Sequence, residues 1–524
     1  MSAPLLPRPV NFSLSLIFPL LLGFQTAAPN PQATCGPGIS GSSSLRMEDE
    51  SELPVQRFIL PSGMRFLILP REGAPTVSFV VHYPVGSMQE VPGSTGLAHL
   101  VEHMLFKGSS TIGARKPWEE AQLFAQMDAA QDSLLEERGR TSRANPVRVL
   151  ELQERIRSLE GEARSLAESG EFDAILSRNG ARNLNATTSH EATTYYVELP
   201  ANRAELWFAL EADRLRDPVF RDFYSERDVV MEERRARVES SPGGLLNEAY
   251  LAAAFPVHPY GLPVVGLMND LELLTRGQVE NFYQTHYGPD QAVVAVVGQV
   301  EPDSIQAWAH RYFHDLGRRP PPPPKLVEEP HQRGRRSVEV SFDAEPQLRM
   351  GWKIPPESHP DTPALVMLSA ILSGGRTSQL HSTLVLEERT ATSVGASLGP
   401  GSRHTRLFTV GATPRLPHTP ADVMAGVKQV LDKVRSEPVS VTEVERVRLQ
   451  LEASRVRRLQ SNFGLALQLA ESEGSQGDWQ ETFRFTDRLV AVTPEEIQAV
   501  ARRYLREETL TVAILRRPQE PRTP

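Results

Sequence analysis

The chain has 524 residues, of which 40% are apolar, and its formal net charge is −9. This length and apolar content predict about two to four domains with cores of their own. Acidic and basic residues are interspersed and form no basic tract, so we exclude nucleic acid as a partner. The single cysteine, Cys35, excludes an intrachain disulfide and a cysteine-based zinc site. Any metal must therefore be held by nitrogen and oxygen.

Residues 1–30 have the features of a secretory signal peptide. An apolar run from residue 12 to residue 24 follows a leader with one positive charge and precedes small residues. The run is too short for a membrane span and is broken by Pro19. We predict export to the periplasm, with residues 31–53 as a disordered leader. The alternative is a lipoprotein anchored to a membrane through Cys35.

The mature chain opens with predicted strands. Two short apolar runs within residues 57–69 flank Ser62 and Gly63, which is a hairpin signal, and residues 77–83 predict a third strand. A loop then leads into the apolar run 96–107, which predicts the first long helix.

This helix carries His99, Glu102 and His103 in the pattern His-x-x-Glu-His. On a helix the two histidines stand one turn apart on the same face, with Glu102 beside them. Two neutral imidazoles can hold zinc together with a carboxylate from elsewhere, and the open fourth position suits a water that Glu102 deprotonates. The apolar neighbours predict a buried helix, where unpartnered histidines are costly, which favours metal ligation over an accidental histidine pair.

Residues 113–180 are rich in Glu, Arg, Ala and Leu and predict an antiparallel helical hairpin inserted after the histidine helix. Apolar residues recur at three- and four-residue steps on each of its helices. The two stripes are Ala121, Phe124, Met127, Ala130 and Leu134, and Val149, Leu152, Ile156, Leu159, Ala163 and Leu166. We interpret the hairpin as a structural arm, and a gate or partner-docking role is the alternative.

Two later segments carry further candidate site residues. Asn185 and Thr187 precede a predicted strand at residues 193–199 and suit an exposed edge to which an extended peptide adds as a strand, although they also suit a turn. Glu226 and Glu233 are seven residues apart on a predicted helix and so share one face. The arginines that follow, up to Arg237, are predicted to face solvent.

A proline-rich linker at residues 317–335 divides the mature chain nearly in half, and the order of strands and helix then repeats. Residues without metal-binding groups stand at the motif positions of the repeat: Val366 for His99, Ser369 for Glu102 and Ala370 for His103. We predict an α+β fold of two homologous lobes, each a mostly antiparallel sheet packed with helices. They are a catalytic lobe at 54–316 and a second, non-metal-binding lobe at 336–518, followed by a tail at 519–524.

The ordered set of motifs resembles the pitrilysin/insulinase-type (inverzincin) zinc metallopeptidases, specifically the bacterial two-lobed members related to mitochondrial processing peptidase. The motifs are Gly86-Ser-Met-Gln-Glu, His99-x-x-Glu102-His103, Asn185-Ala-x-Thr with Tyr195-Tyr196, the run from Glu226 to Glu233, and His258-Pro-Tyr-Gly. The resemblance covers about residues 55–517. Glu233 lies farther from His103 than is usual in the family, and the inserted hairpin accounts for the extra length.

The resemblance implies a zinc-dependent endopeptidase that hydrolyses extended peptides or unfolded polypeptides. His99, His103 and Glu233 would hold one zinc ion per chain, with Glu102 as the general base. Glu226 would orient a ligand imidazole. Three residues would contact the substrate backbone: Asn185, Ala186 and Thr187.

One departure from the family bears on partners. A separate Arg and Tyr bind the substrate carbonyl in the family, but Val385 and Thr392 stand at those positions here. The resemblance therefore implies a homodimer, or a heterodimer with a homologous subunit that bears the Arg/Tyr pair. One alternative is a zinc-binding but non-proteolytic scaffold subunit of a peptidase-like complex. A second alternative is a secreted binding protein whose histidines are structural.

Overall fold

The computed structural model describes residues 53–323 and 327–518. The elements of the first half are β1 Gln56–Ile59, β2 Arg65–Pro70, β3 Thr76–Tyr83, α1 Leu97–Met104, α2 Pro117–Gly139, α3 Pro146–Ser165, α4 Glu171–Arg178, β4 Arg182–Thr188, β5 Thr193–Pro200, α5 Ala204–Arg216, α6 Phe223–Arg234, α7 Pro242–Ala254, α8 Met268–Leu273, α9 Arg276–His286, β6 Val293–Gly298 and α10 Pro302–Phe313. Those of the second half are β7 Arg336–Ser341, β8 Gln347–Ile354, α11 Thr362–Ser373, β9 Ala391–Gly399, β10 Arg406–Pro414, α12 Pro420–Ser436, α13 Val441–Gln460, α14 Asn462–Gln476, α15 Glu481–Ala491, α16 Pro494–Tyr504 and β11 Leu510–Arg516.

The strands of the first half form one sheet with the order β1-β2-β6-β3-β5-β4. Only β2 and β6 are parallel neighbours, and the other pairs are antiparallel. Alternate residues of β3 point to opposite faces, so that Phe79 and Val81 enter the core under α1 and α5 while Val80 faces the other side. Both faces of the central strands are therefore buried, which explains their nearly continuous apolar sequences.

The second sheet, with the order β7-β11-β8-β10-β9, repeats the first without a counterpart of β1. Its parallel pair is β7 and β11, in the place of β2 and β6. In each half, a helix with a threonine capping box, at Thr275 or Thr493, leads to strand β6 or β11. The predicted fold class is confirmed: two homologous α+β lobes, with a helical hairpin inserted in the first.

The inserted hairpin consists of α2 and α3, joined by a short loop at residues 140–145. Most of the predicted stripe is buried between them: Phe124, Met127, Ala130, Leu134, Leu152, Ile156, Leu159 and Ala163. Val149 and Leu166 are half-buried. The prediction for Ala121 is wrong, because this residue lies in the first turns of α2 on the solvent side and is exposed.

One helix of each lobe packs against the sheet of the other lobe. Helix α14 covers the outer face of the first sheet with Leu465 and Leu469, which pack against Leu67 and Val297. Helix α7 covers the outer face of the second sheet, where the Tyr250 hydroxyl lies 2.8 Å from Thr409 Oγ1. Helices α7 and α14 occupy corresponding places in the two lobes. Each buries a sheet face of the other lobe that would otherwise be exposed to water.

The predicted signal peptide at 1–30, most of the leader at 31–53 and the tail at 519–524 lie outside the described residues. In the described part of the predicted linker, Gln332 is buried and donates to the carbonyl of Leu510, so this end of the linker packs on the second lobe. Every helix within 53–323 and 327–518 is too short or too polar to span a bilayer.

Candidate metal centre

Helix α1 begins where a buried glutamate binds its N-terminus. The Glu90 carboxylate accepts hydrogen bonds from the backbone N–H groups of Gly96 and Ala98, at 2.9 and 2.8 Å. Gly96 has a φ of 94°, a conformation that glycine adopts without steric cost. Burial raises the pKa of Glu90 to about 8, against the opposing effect of these backbone hydrogen bonds. The position of α1 on the sheet is thus fixed at its first turn.

His99 and His103 lie one turn apart on α1, and their ring centroids are 4.8 Å apart. Helix α6 brings Glu233 opposite both rings: its carboxylate oxygens lie 3.7 Å from His99 Nε2 and 3.7 Å from His103 Nε2. Burial, with the charges of His103 and Arg237, holds the pKa of His99 well below its usual value, so that His99 is neutral. A neutral imidazole is the form that binds a metal.

Glu226, two turns before Glu233 on α6, contacts the other side of His103. Its Oε2 lies 3.4 Å from His103 Nδ1, and its Oε1 accepts a hydrogen bond from Lys107. Burial alone would raise the pKa of Glu226, but the His103 hydrogen bond and the Lys107 charge lower it to about 2. Burial lowers the pKa of His103, but the Glu226 hydrogen bond and the neighbouring carboxylates raise it above its usual value. When His103 is neutral, the carboxylate at Nδ1 keeps the proton there and leaves the lone pair on Nε2, on the side of Glu233.

Glu102 lies on α1 between the two histidines in sequence, and the end of β4 reaches it. Thr188, the last residue of β4, donates a hydrogen bond from its hydroxyl to Glu102 Oε2. Burial raises the pKa of Glu102 above its usual value, although the Thr188 hydrogen bond lowers it. A carboxylate with a raised pKa is suited to accept and return a proton.

Strand β4 forms the edge of the first sheet within the described part of the chain. Ala186 is buried in the core, so that only its backbone is available at the edge. Asn185 and Thr187 are half-buried and alternate with it along the strand. The structure thus brings the predicted peptide-contacting residues and Glu102 to one place, since Thr188 follows Thr187 directly.

The donor atoms fit a zinc ion. One ligand atom from each of His99, His103 and Glu233 can be chosen so that all lie within 4.8 Å of one another. Tetrahedral ligands about 2.1 Å from an ion are separated by about 3.4 Å, close to the imidazole–carboxylate distances above. Two nitrogens and one oxygen also match the ligand set of zinc sites that keep one position open.

Comparison with protein families gives two matches. The model of the insulinase family (peptidase family M16) matches residues 65–133 and 164–267, and the model of the M16 inactive domain matches residues 273–451. The chain belongs to the M16 peptidase family. The model matches most of α2 but leaves out residues 134–163, which form the tip of the hairpin and most of α3.

Relatives of similar length align with this M16 chain over most of its sequence. The zinc protease PqqE of Helicobacter pylori is 25% identical over 480 residues, which cover 90% of this chain and 95% of that protein. The probable mitochondrial-processing peptidase subunit beta of Arabidopsis thaliana is 24% identical over 470 residues, with 87% and 77% covered. The crystal structure of a protease from Helicobacter pylori has the same fold, with a TM-score of 0.74, 24% identity, and 88% and 99% coverage.

The two positions at which the resemblance implies an Arg and a Tyr carry short side chains. Val385 lies in a π-helical segment, His381–Glu387, and packs against the second core. The Thr392 hydroxyl donates to the carbonyl of Thr413 on the neighbouring strand. Neither side chain offers a cationic or phenolic donor to a substrate.

Sequence reasoning missed three neighbours of the site and misjudged a fourth residue. Thr188 and Lys107 were not predicted, although Lys107 follows His103 by one helical turn. Arg237 is exposed, as predicted, but its ion pair with Glu233, one turn earlier, was not predicted. The solvent-facing prediction is wrong for Arg234, which is buried and donates to Glu248 and to the carbonyl of Gly266.

Proposed function

We propose that this M16 chain is a zinc-dependent endopeptidase that hydrolyses extended peptides or unfolded polypeptides. The observation that carries the proposal is the convergence of His99, His103 and Glu233 beside Glu102 and the end of an edge strand. The match to a relative named as a zinc protease supports zinc as the metal. The single three-residue donor set found among the described residues corresponds to one zinc ion per chain.

In this proposal Glu102 moves the protons of the reaction. Bound zinc would supply Lewis-acid chemistry, which acidifies water and polarises a peptide carbonyl. Glu102 takes the proton of the attacking water and delivers it to the leaving amine as the peptide bond breaks. The Thr188 hydroxyl holds one oxygen of Glu102 in place, so that the other oxygen faces the reacting water.

The substrate is bound as an extended strand along β4. On the side away from β5, the backbone of Asn185, Ala186 and Thr187 would offer hydrogen bonds to the backbone of a peptide, without selecting its side chains. The Ala186 N–H, which donates to Asn185 Oδ1, would exchange this partner for the peptide. This mode suits unfolded chains, because a folded protein does not present a free strand beside a buried metal site. Because Thr188 at the end of β4 contacts Glu102, the register of the peptide along β4 determines which of its peptide bonds lies at the metal centre.

A partner subunit supplies the missing donors for the substrate carbonyl. Val385 and Thr392 cannot stabilise the negative charge that develops on the carbonyl oxygen, and the loss of such a donor typically costs about 10²–10³ in rate. We therefore propose a homodimer, or a heterodimer with a homologous subunit bearing an Arg/Tyr pair. The alternative is a zinc-binding scaffold subunit without proteolytic activity of its own.

The features of residues 1–30 support export, and we propose a periplasmic location for the mature chain. Cys35 is the single residue whose lipidation would anchor the protein to a membrane. Mass measurement of the mature N-terminus separates these outcomes, because a lipid adds mass to a chain that begins at Cys35.

The decisive experiment replaces Glu102 by Gln. The variant keeps the shape of the side chain and the zinc ligands, so that zinc content should stay at one per chain while hydrolysis of an unfolded protein substrate is lost. Glu136→Gln is the matched control, because this exposed glutamate lies on α2 far from the site in sequence. Activity in Glu102→Gln equal to that of the control would refute the mechanism.

The partner is tested with the same substrate. The purified chain is assayed alone and mixed with a homologue that carries the Arg/Tyr pair. Turnover that rises on mixing supports a partner-dependent peptidase. Zinc binding without turnover in either sample would favour the scaffold.

A further inference from the structure

The base of the inserted hairpin docks on the helix that carries Glu226 and Glu233. Arg164 of α3 donates to Asp222 Oδ1 at 2.9 Å and to Ser225 Oγ at 2.7 Å. Glu160, one turn earlier on α3, accepts from the same serine. The segment that the family model leaves out is therefore in direct contact with the first turn of α6.

Glu160 acts as the cap of α6. The first backbone N–H groups of a helix have no partner within the helix, and a side chain at the N-cap position commonly accepts from one of them. Asp222 occupies this position but makes no such bond, and its Oδ1 accepts a hydrogen bond from Arg164. The Glu160 carboxylate takes its place: Oε1 accepts from the Ser225 N–H at 3.0 Å and Oε2 from the Ser225 hydroxyl at 3.2 Å.

A second anchor ties the hairpin to the chain that leaves α1. Arg221 is 3% exposed and donates to both carboxylate oxygens of Glu120 on α2. Its remaining N–H groups donate to the backbone carbonyls of Lys107, Ser109 and Ile112. The hairpin thus contacts the segments that follow α1 and precede α6, which are the two helices of the metal centre.

We propose that the inserted hairpin is a positioning element of the metal centre and that Glu160 is its key residue. By binding Ser225, Glu160 fixes the first turn of α6 and so the backbone of Glu226, the next residue. Glu226 in turn orients the His103 imidazole at Nδ1. The inference rests on the proposed function for the reaction, but the chain of contacts from Glu160 to His103 does not depend on it.

A purely structural arm would behave differently. Loss of a cap that only stabilises α6 lowers the melting temperature and leaves the metal centre intact once the chain is folded. Loss of a positioning residue changes the affinity for zinc and the turnover number in the folded protein. The two roles are therefore separated by measurements made well below the melting temperature.

The experiment compares Glu160→Ala, Glu160→Gln and the matched control Glu154→Ala in the full chain. Glu154 also lies on α3, but it is exposed and its contact is with exposed Arg157. Zinc affinity is measured by competition with a chromophoric chelator, kcat and KM with an unfolded protein substrate, and the melting temperature without metal. Glu160→Gln keeps one acceptor oxygen for the Ser225 N–H and serves as the conservative variant.

We expect Glu160→Ala to weaken zinc binding and to lower kcat by about tenfold each, with KM unchanged. Glu160→Gln should recover much of both losses, and Glu154→Ala should match the parent. The inference is overturned if Glu160→Ala matches Glu154→Ala in zinc affinity and kcat, or if only its melting temperature falls. If the parent itself hydrolyses no peptide, the proposed function fails, whereas the zinc affinities still decide the role of Glu160.

Discussion

Acid should destabilise the protein through His82, a buried histidine between the lobes. His82 lies on β3, is 4% exposed, and its Nδ1 is 2.9 Å from Thr194 Oγ1. Its ring faces α14 so closely that a Cβ on Gly474 would lie 2.2 Å from it. Burial, with the charges of Arg403 and Arg65, lowers the pKa of His82 from 6.5 to about 3.

The direction of the pH effect depends on whether the folded or the unfolded chain binds the proton more readily. Below pH 6.5 the unfolded chain protonates this histidine, whereas the folded chain does not until about pH 3. The stabilising contribution of neutral His82 is therefore complete above pH 6.5 and is lost as the pH falls from 6.5 to about 3. At pH 5 the loss in the free energy of unfolding amounts to about 2 kcal/mol.

Urea denaturation at pH 7 and pH 5 measures this loss. In His82→Gln, which does not titrate, the difference between the two pH values should be smaller than in the parent by about 2 kcal/mol. His331→Gln is the control, because His331 is exposed in the linker and should leave the parent's pH dependence unchanged. If the free energy of unfolding falls equally between pH 7 and pH 5 in His82→Gln and in the parent, His82 is not the source of the acid sensitivity.

Three further substitutions test the site and the lobe contact. Thr188→Val removes the hydroxyl bound to Glu102, so that steady-state kinetics should show kcat lower by about tenfold with KM unchanged. Thr188→Ser keeps a hydroxyl and should recover kcat. Equal kcat values in the two variants would argue against this role. Glu226→Gln weakens the orientation of His103, and chelator competition should show zinc affinity lower by about 10–100-fold, whereas parental affinity would contradict it. Leu469→Ala opens a cavity between α14 and the first sheet, and urea denaturation should show a free energy of unfolding lower by about 2–5 kcal/mol. A decrease well below about 1 kcal/mol would contradict this packing role.

The metal-binding helix could be predicted because the residues that define it lie close together in the sequence. His99, Glu102 and His103 stand at helical spacing among apolar residues, and the spacing of Glu226 and Glu233 likewise places both on one face. Strands β2 and β3 of the first sheet were also predictable, since strands buried on both faces have nearly continuous apolar sequences.

The rest depends on contacts between distant segments. Strand β9 consists largely of Ala, Ser and Gly, which have little β-propensity, and its pairing with β10 defines it. Helix α14 mixes small and polar residues, and its role appears only when it meets the first sheet. The role of Thr188 requires β4 to approach Glu102 across 86 residues of sequence. Arg234 was misjudged for the same reason, because its partner Glu248 lies on the next helix.

The exchange of α7 and α14 makes the two lobes one folding unit. A fragment ending at the linker would retain the whole donor set for zinc, but the strands β2, β3 and β6 would expose Leu67, Val80 and Val297 to water. A fragment of the second lobe would expose Leu407 and Leu515 in the same way. The lobe without metal-binding residues therefore has a reason to persist: it completes the core on which the metal-binding lobe folds.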